Sequence, residues 1–204
     1  MTRISVIAAA AGVVIGAAGV GLAWAISGGS SGASHDKRPL AAPAALGAYQ
    51  ALGTVEARHG ATGKANALRE IAWNEKSAAF LSAAYGGAPS LVAKYADTGL
   101  DTFVTLFAVR APSPRPFYEY QDAAYLGLAR PTNEVRPEGD DTCGLQNEPT
   151  PPGQTPKPET VFVVTCQRSD AKLTVFIHVG GGNLEHDPAR VAALVDSAWQ
   201  SLAS

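Results

Sequence analysis

From Ile4 to Ile26 the chain runs for 23 residues without an ionisable side chain. As a helix rising ~1.5 Å per residue this stretch measures ~34 Å, enough to cross a hydrocarbon core about 30 Å thick. In lipid the backbone polar groups must be satisfied within the segment itself, so helix is the form it has to take there. Trp24 then falls at the level of an interfacial aromatic. The competing assignment is a cleaved secretory signal, in which Arg3 is the basic start and Ala23-Trp24-Ala25 is a processing site cut after Ala25. Length favours a retained anchor, because signal cores run to about 7 to 15 residues. A lipoprotein is excluded, since no cysteine lies near residue 26 to carry the lipid.

The charges reinforce this division. Of 34 Asp, Glu, Lys and Arg side chains, only Arg3 lies in the first 35 positions. The formal net charge of −2 argues against a chain that grips phosphate backbones, so no nucleic-acid partner is expected. The positive-inside comparison of Arg3 with Lys37 and Arg38 does not fix the orientation. The cysteines do more: the chain has two, Cys143 and Cys166, and an even pair in a small exported domain is expected disulfide usage. The expected layout therefore has the amino terminus inside and the domain in the extracytoplasmic space. Gly12 and Gly16 form a G-x-x-x-G spacing that would let two such helices approach closely, although Ala and Gly are so frequent here that chance also supplies it. A homodimer through these glycines is the one self-association the sequence suggests.

Three regions follow: residues 1–26 as anchor, 27–45 as a flexible Gly/Ser/Ala/Pro linker, and 46–204 as the extracytoplasmic domain. Within the linker Gly28-Gly29-Ser30-Ser31-Gly32 fits G-x-S-x-G and Ser34-His35-Asp36-Lys37 fits S-x-x-K. Each needs a strand, turn or helix context that a Gly/Ser tether lacks, so both are read as composition.

The domain reads as α+β. Helices are expected over 46–58 and 65–85, the second burying Trp73, Ser77, Phe80, Leu81 and Ala84 and ending at Gly86-Gly87. A short helix from Pro89 to Tyr95 follows, then a strand over 102–110 apolar on both faces, a helical or irregular stretch over 118–128, and polar coil through Glu134, Glu138, Asp140 and Asp141. The clearest unit is a hairpin of 161–168 with 172–179, turning at Ser169-Asp170. Pairing Gln167 with Lys172 sets Phe162, Val164 and Cys166 opposite Ile177, Val175 and Leu173 on a core face. A final helix starts at Asp187 as N-cap with Pro188 in its first turn, and Val191, Leu194, Val195, Ala198, Trp199 and Leu202 form its apolar stripe. The expected fold is thus a small antiparallel sheet whose C-terminal hairpin is packed by helices, preceded by one transmembrane helix. The Pro-rich loop 149–158 cannot join a sheet and should project, and a Cys143–Cys166 bridge would close a loop of about 24 residues around it. Two free thiols are the alternative.

The only local cluster of candidate ligands or acid–base groups is His178, Asn183, Glu185, His186 and Asp187. No H-x-x-x-H or C-x-x-C spacing marks a metal site, and no cofactor motif is present. Gly180-Gly181-Gly182-Asn183 lacks phosphate-loop spacing and is followed by Glu185 and Asp187, which would repel an anion. The texture of an Arg-led anchor, a tether, a two-cysteine domain and a closing helix VAALVDSAWQSL resembles uncharacterised membrane-anchored or exported proteins of high-GC actinobacteria. The resemblance implies a cell-envelope location and carries over no catalytic residue. The expected function is a non-catalytic binding, sensing or envelope-accessory module on the extracytoplasmic side. The alternatives are an envelope hydrolase with His178 or His186 as base, and a secreted soluble protein after cleavage.

Overall fold

The structure is a computed structural model describing residues 36–203. The stretch Ile4–Ile26, the Gly12/Gly16 spacing, the cleavage site after Ala25 and most of the linker lie outside the described residues. Among the described residues, no helix is long and apolar enough to cross a membrane.

Thr102–Arg110 is dense in β-branched and aromatic residues, which favour a pleated, half-buried surface. It supplies the centre of one eight-stranded antiparallel sheet, in the order β1-β2-β3-β4-β8-β7-β6-β5. The strands are β1 (Ala45–Leu46), β2 (Tyr49–Ala51), β3 (Ser90–Ala96), β4 (Phe103–Val109), β5 (Asn133–Glu138), β6 (Asp141–Asn147), β7 (Val161–Ser169) and β8 (Thr174–Gly180). Among the described residues three α-helices accompany them: α1 (Leu52–Glu56), α2 (Gly60–Ala84) and α3 (Pro188–Leu202). The α+β class is as the sequence implies, and the sheet is larger. Pro137 sits in β5, which closes one side of the sheet, as a residue without an N–H must.

The two faces are covered differently. On the inner face, Val104, Leu106, Ala108, Val175, Ile177 and Cys166 are fully buried beneath α3. That helix starts as its sequence dictates, with the Asp187 carboxylate accepting from Arg190 N–H at 3.0 Å and Pro188 in the first turn. Its stripe of Val191, Leu194, Val195, Ala198 and Leu202 is buried. Burying each of the Val and Leu side chains contributes about 1.5–3 kcal/mol, so this contact is a large apolar term of the fold. Trp199 is partly buried, with the Arg168 guanidinium 4.9 Å from its ring centroid. Cys143 and Cys166 face each other directly across β6 and β7 and are joined by a disulfide under the start of α3.

Several local expectations are corrected. Residues 46–51 turn back at Gly47, whose φ of +59° suits glycine, so the helix expected over 46–58 shrinks to α1. Residues 90–96 are strand rather than the helix expected from Pro89 to Tyr95: Leu91, Ala93 and Tyr95 alternate with Ser90, Val92 and Lys94, a period of two. The polar coil around Glu134 to Asp141 is the β5–β6 hairpin, turning at Gly139-Asp140 with Gly139 at φ +64°. Helix α2 forms and ends at Gly86-Gly87 as expected, but it packs through Gly63, Ala67 and Glu70. Trp73 and Phe80 are 52% and 78% exposed, so the bulky face is not the buried one.

The β7–β8 hairpin pairs Cys166 with Ile177 and Ser169 with Thr174, a wider turn than expected. A bulge between Gly144 and Leu145 on the β6 pairing leaves Val164 without an opposite residue. The extra residue reverses alternation, so Val161, Val163 and Cys166 point inward while Val164 is exposed. Phe162 and Val164 are therefore not core residues. The Pro-rich 149–158 segment stays out of the sheet, tied at its ends by Ala129 N–H to Thr150 O and Glu148 N–H to Thr160 O.

Asp141 heads β6 on the inner face, buried, and neither carboxylate oxygen has a hydrogen bond among the described residues. Desolvation, with Asp196 and Asp140 adding repulsion against the help of Arg168, pushes its pKa up to about 7. In the unfolded chain the group ionises at its ordinary 3.8, so stability falls as pH rises from there to about 7 and stays low above. Asp141→Asn should remove that slope and raise Tm at pH 8 by about 3–6 °C, as thermal unfolding at pH 5 and pH 8 would register. Replacing both Cys143 and Cys166 by Ala should cost about 3 kcal/mol in denaturant unfolding. An unchanged midpoint would show that the bridge constrains nothing.

Candidate functional site

Helix α2 crosses the outer face above β3 and leaves a groove of about 790 Å³ between itself, α1, Pro43 and the strand. Its walls are kept low by small residues, among them Ala51, Gly53, Ala57, Ala67 and Ala78, so apolar space remains where larger side chains would have closed it. The helix can lie this close to α1 because Gly63 presents no Cβ toward the carbonyl of Glu56. The groove's far end is closed by Tyr95, whose hydroxyl donates to Pro43 O at 2.9 Å and whose burial pushes its pKa up to about 12.

Polar groups are few. Glu70 is 7% exposed and lies 3.0 Å from the Lys94 ammonium. Glu70 Oε1 nevertheless makes no hydrogen bond of good geometry among the described residues, and neither does the buried Asn74 Oδ1 one turn along the helix. The Lys94 ammonium compensates the Glu70 charge, and a buried acceptor such as Asn74 Oδ1 is costly unless something supplies a donor. Ser90 Oγ donates to Ala78 O at 2.6 Å and pins strand to helix.

A second, smaller hollow of about 400 Å³ lies elsewhere on the outer face, under the strap Pro114–Tyr118. Its floor includes Phe176, stacked on Phe107 at 4.7 Å, and His178, whose ring lies 5.0 Å from Phe107. A Cβ at Gly144 would sit 2.8 Å from Tyr118 Oη, so a larger residue here would push the tyrosine ring of the strap aside.

The cluster expected from sequence is only partly assembled. His178 is on the outer face of β8 against those rings, and desolvation lowers its pKa from the ordinary 6.5. Asn183, Glu185 and His186 lie in the 3₁₀ turn before α3, and Asp187 is spent on the helix cap. His186 Nδ1 is 2.8 Å from Val161 O, its ring stands edge-on to Phe162 at 4.6 Å, and its Nε2 is 3.5 Å from Glu185 Oε1. Glu185 Oε2 accepts from Gly181 N–H at 3.1 Å. Among the described residues no hydrogen bond or ion pair joins His178 to the other four, and no group of three or more His, Cys, Asp and Glu is placed to hold a metal ion. Gly181 and Gly182, both at positive φ, press on Asp101 and Thr102, where a Cβ would clash, so the glycine run serves packing.

Glu70, Asn74 and Lys94 were missed by the sequence reading. The available signal was a single acidic residue at helical spacing with Ala67, Asn74, Ser77 and Leu81, within the side of the helix expected to be buried.

No protein-family model, curated protein or solved structure matches this chain. The groove and its chemistry therefore carry the functional argument.

Lys94→Met would leave the Glu70 carboxylate buried without its cation and should cost about 2 kcal/mol. Adding Glu70→Gln should recover most of that loss, a coupling that a double-mutant cycle in urea would measure. Additive effects would mean that the two groups act independently.

Proposed function

We propose that this chain is a single-pass membrane protein that displays its α+β unit on the extracytoplasmic side as a non-catalytic binding module, and that the α2–β3 groove is where it binds. The groove carries the reading. A space of about 790 Å³ with an apolar lining and a few converging polar groups is the form ligand sites take. The uncharged Ile4–Ile26 stretch supports the anchor, and the Cys143–Cys166 pair at bonding distance supports an oxidising compartment. The resemblance of the layout to membrane-anchored or exported actinobacterial proteins points the same way. A hydrolase draws less support, because His178 and His186 stand in separate environments and His186 is held by a backbone carbonyl.

Two measurements on the full chain test this. After cell fractionation the protein should resist a carbonate wash of the membranes, and its thiols should be blocked to alkylation until reduced; a soluble cytosolic product with free thiols would overturn the placement. In lipid nanodiscs, 1-octanol should give saturable shifts at the Ala67 and Ala78 methyl resonances, and Ala78→Trp should abolish the shift at Ala67. Linear, unsaturable shifts would remove the groove from consideration as a site.

A further inference from the structure

We infer that the occupant of the groove is an extended segment of a partner protein, which adds as a strand to the open edge of β3 and brings one basic side chain to Glu70 and Asn74. The inference rests on the groove being a binding site.

Side chains on a strand alternate between faces, so a cavity that looks at a sheet face touches every second residue. This groove is lined by six consecutive residues, Ser90 through Tyr95. It therefore runs along the edge of the strand, where main-chain groups point. The ladder shows which groups. Arg110 N–H donates to Pro89 O at 2.8 Å, and Asp97 N–H to Thr102 O at 3.2 Å, so odd-numbered positions of this strand bond to β4. The register between β3 and β4 is unbroken from Ser90↔Val109 to Ala96↔Phe103. Alternation in an antiparallel pair then turns the N–H and C=O of Ser90, Val92 and Lys94 away from β4 and toward the groove. Strand β2 pairs only with Tyr95 and Ala96, leaving Ser90–Lys94 without a strand neighbour on that side among the described residues.

An open edge is a template for another strand, and strand addition is a common mode of peptide capture. The rest of the groove selects among extended occupants. Alanine and glycine walls admit a backbone and short apolar side chains. Glu70, Glu75 and Lys94 line it with one anionic charge in excess, Glu70 Oε1 holds the Lys94 ammonium at 3.0 Å, and the buried Asn74 Oδ1 has no hydrogen-bond donor among the described residues. A lysine or arginine supplies donors to Asn74 Oδ1 and balances the excess charge, whereas a hydrocarbon chain would leave that acceptor and the strand edge unsatisfied. The chain's own Ser27–Gly32 tether does not suit the space, because it has no apolar side chains to fill it. Five residues of β3 give the added strand a length of ~17 Å.

The test uses the full chain in nanodiscs and the peptide Ser-Val-Ala-Arg-Ala-Val-Ser, acetylated and amidated at its ends. Titration should shift the Val92 and Lys94 amides and the Ala67 and Ala78 methyls in saturable fashion. Replacing the central Arg of the peptide by Glu should weaken binding about tenfold or more, and methylating alternate peptide nitrogens should abolish it. Glu70→Gln should erase most of the Arg-over-Glu preference. Val92→Pro removes an edge N–H without removing a bond to β4 and should also abolish binding; if it fails to fold, the N-methylated peptide makes the same test on the unaltered protein. Binding indifferent to N-methylation or to the central charge overturns strand addition. So does saturable 1-octanol uptake with no response to any of the peptides, an outcome that leaves the groove standing as a site for apolar ligands. If neither 1-octanol nor peptide binds, the reading of the groove as a site falls with it.

Discussion

The burial of one face of the sheet beneath α3 is the contact on which the other features depend. Val191, Leu194, Val195, Ala198 and Leu202 descend onto Leu106, Val175, Ile177 and Cys166, and the helix can do so because Asp187 caps it and Pro188 starts it. That contact fixes which side of each central strand faces inward. It thereby fixes that Ser90, Val92 and Lys94 turn outward to α2, and that β3 presents its edge to the groove. The Cys143–Cys166 bridge secures β6 to β7 under the same helix, so β6, and β5 paired to it, cannot slide along β7.

The outer face has no comparable cover. Helix α2 contributes small side chains and one ion pair, and the strap Pro114–Tyr118 covers a separate patch around Phe176 and His178. Economy of bulk on this side leaves volume, and the volume adjoins backbone groups that a sheet normally pairs. Packing and open volume are in this way divided between the two faces: the inner one is filled, and the outer one keeps a groove.

What could be read from the sequence follows from how local each signal is. The stripe of α3 repeats at helical spacing with a cap ahead of it, and β4 and the last hairpin are continuous apolar runs, so these elements declare themselves. The Cys143–Cys166 pairing was suggested by cysteine count, and the strands that bring the two together confirm its geometry. The misreadings share a different origin. In 46–51 and 90–96 the strand character is decided by pairing, with β1 and β3 for the first and β4 for the second, whereas the local sequence, which includes alanines, offers helix equally well. Trp73 and Phe80 pulled the expected face of α2 to one side because bulk is the usual mark of a core face, whereas the helix buries Gly63, Ala67 and Glu70, with Leu81 partly buried as expected. The groove was illegible because it is made of what is missing, short side chains and an unpaired strand edge. The His178 and His186 cluster was visible in sequence, yet β8 and the turn after it carry the two rings into separate surroundings.

The bulge at Val164 gives β7 a tolerance that no other strand here has. Val163 and Cys166 both face inward although three positions separate them, because one residue is looped out of the ladder. A chain lacking Val164 would run as a plain strand with the same side chains inside, so a one-residue deletion can be absorbed at this point. The same deletion between Cys166 and Ser169 would turn part of the strand inside out. Among relatives of differing length, single-residue gaps in this strand should therefore gather at the kink and spare the rungs beside the disulfide.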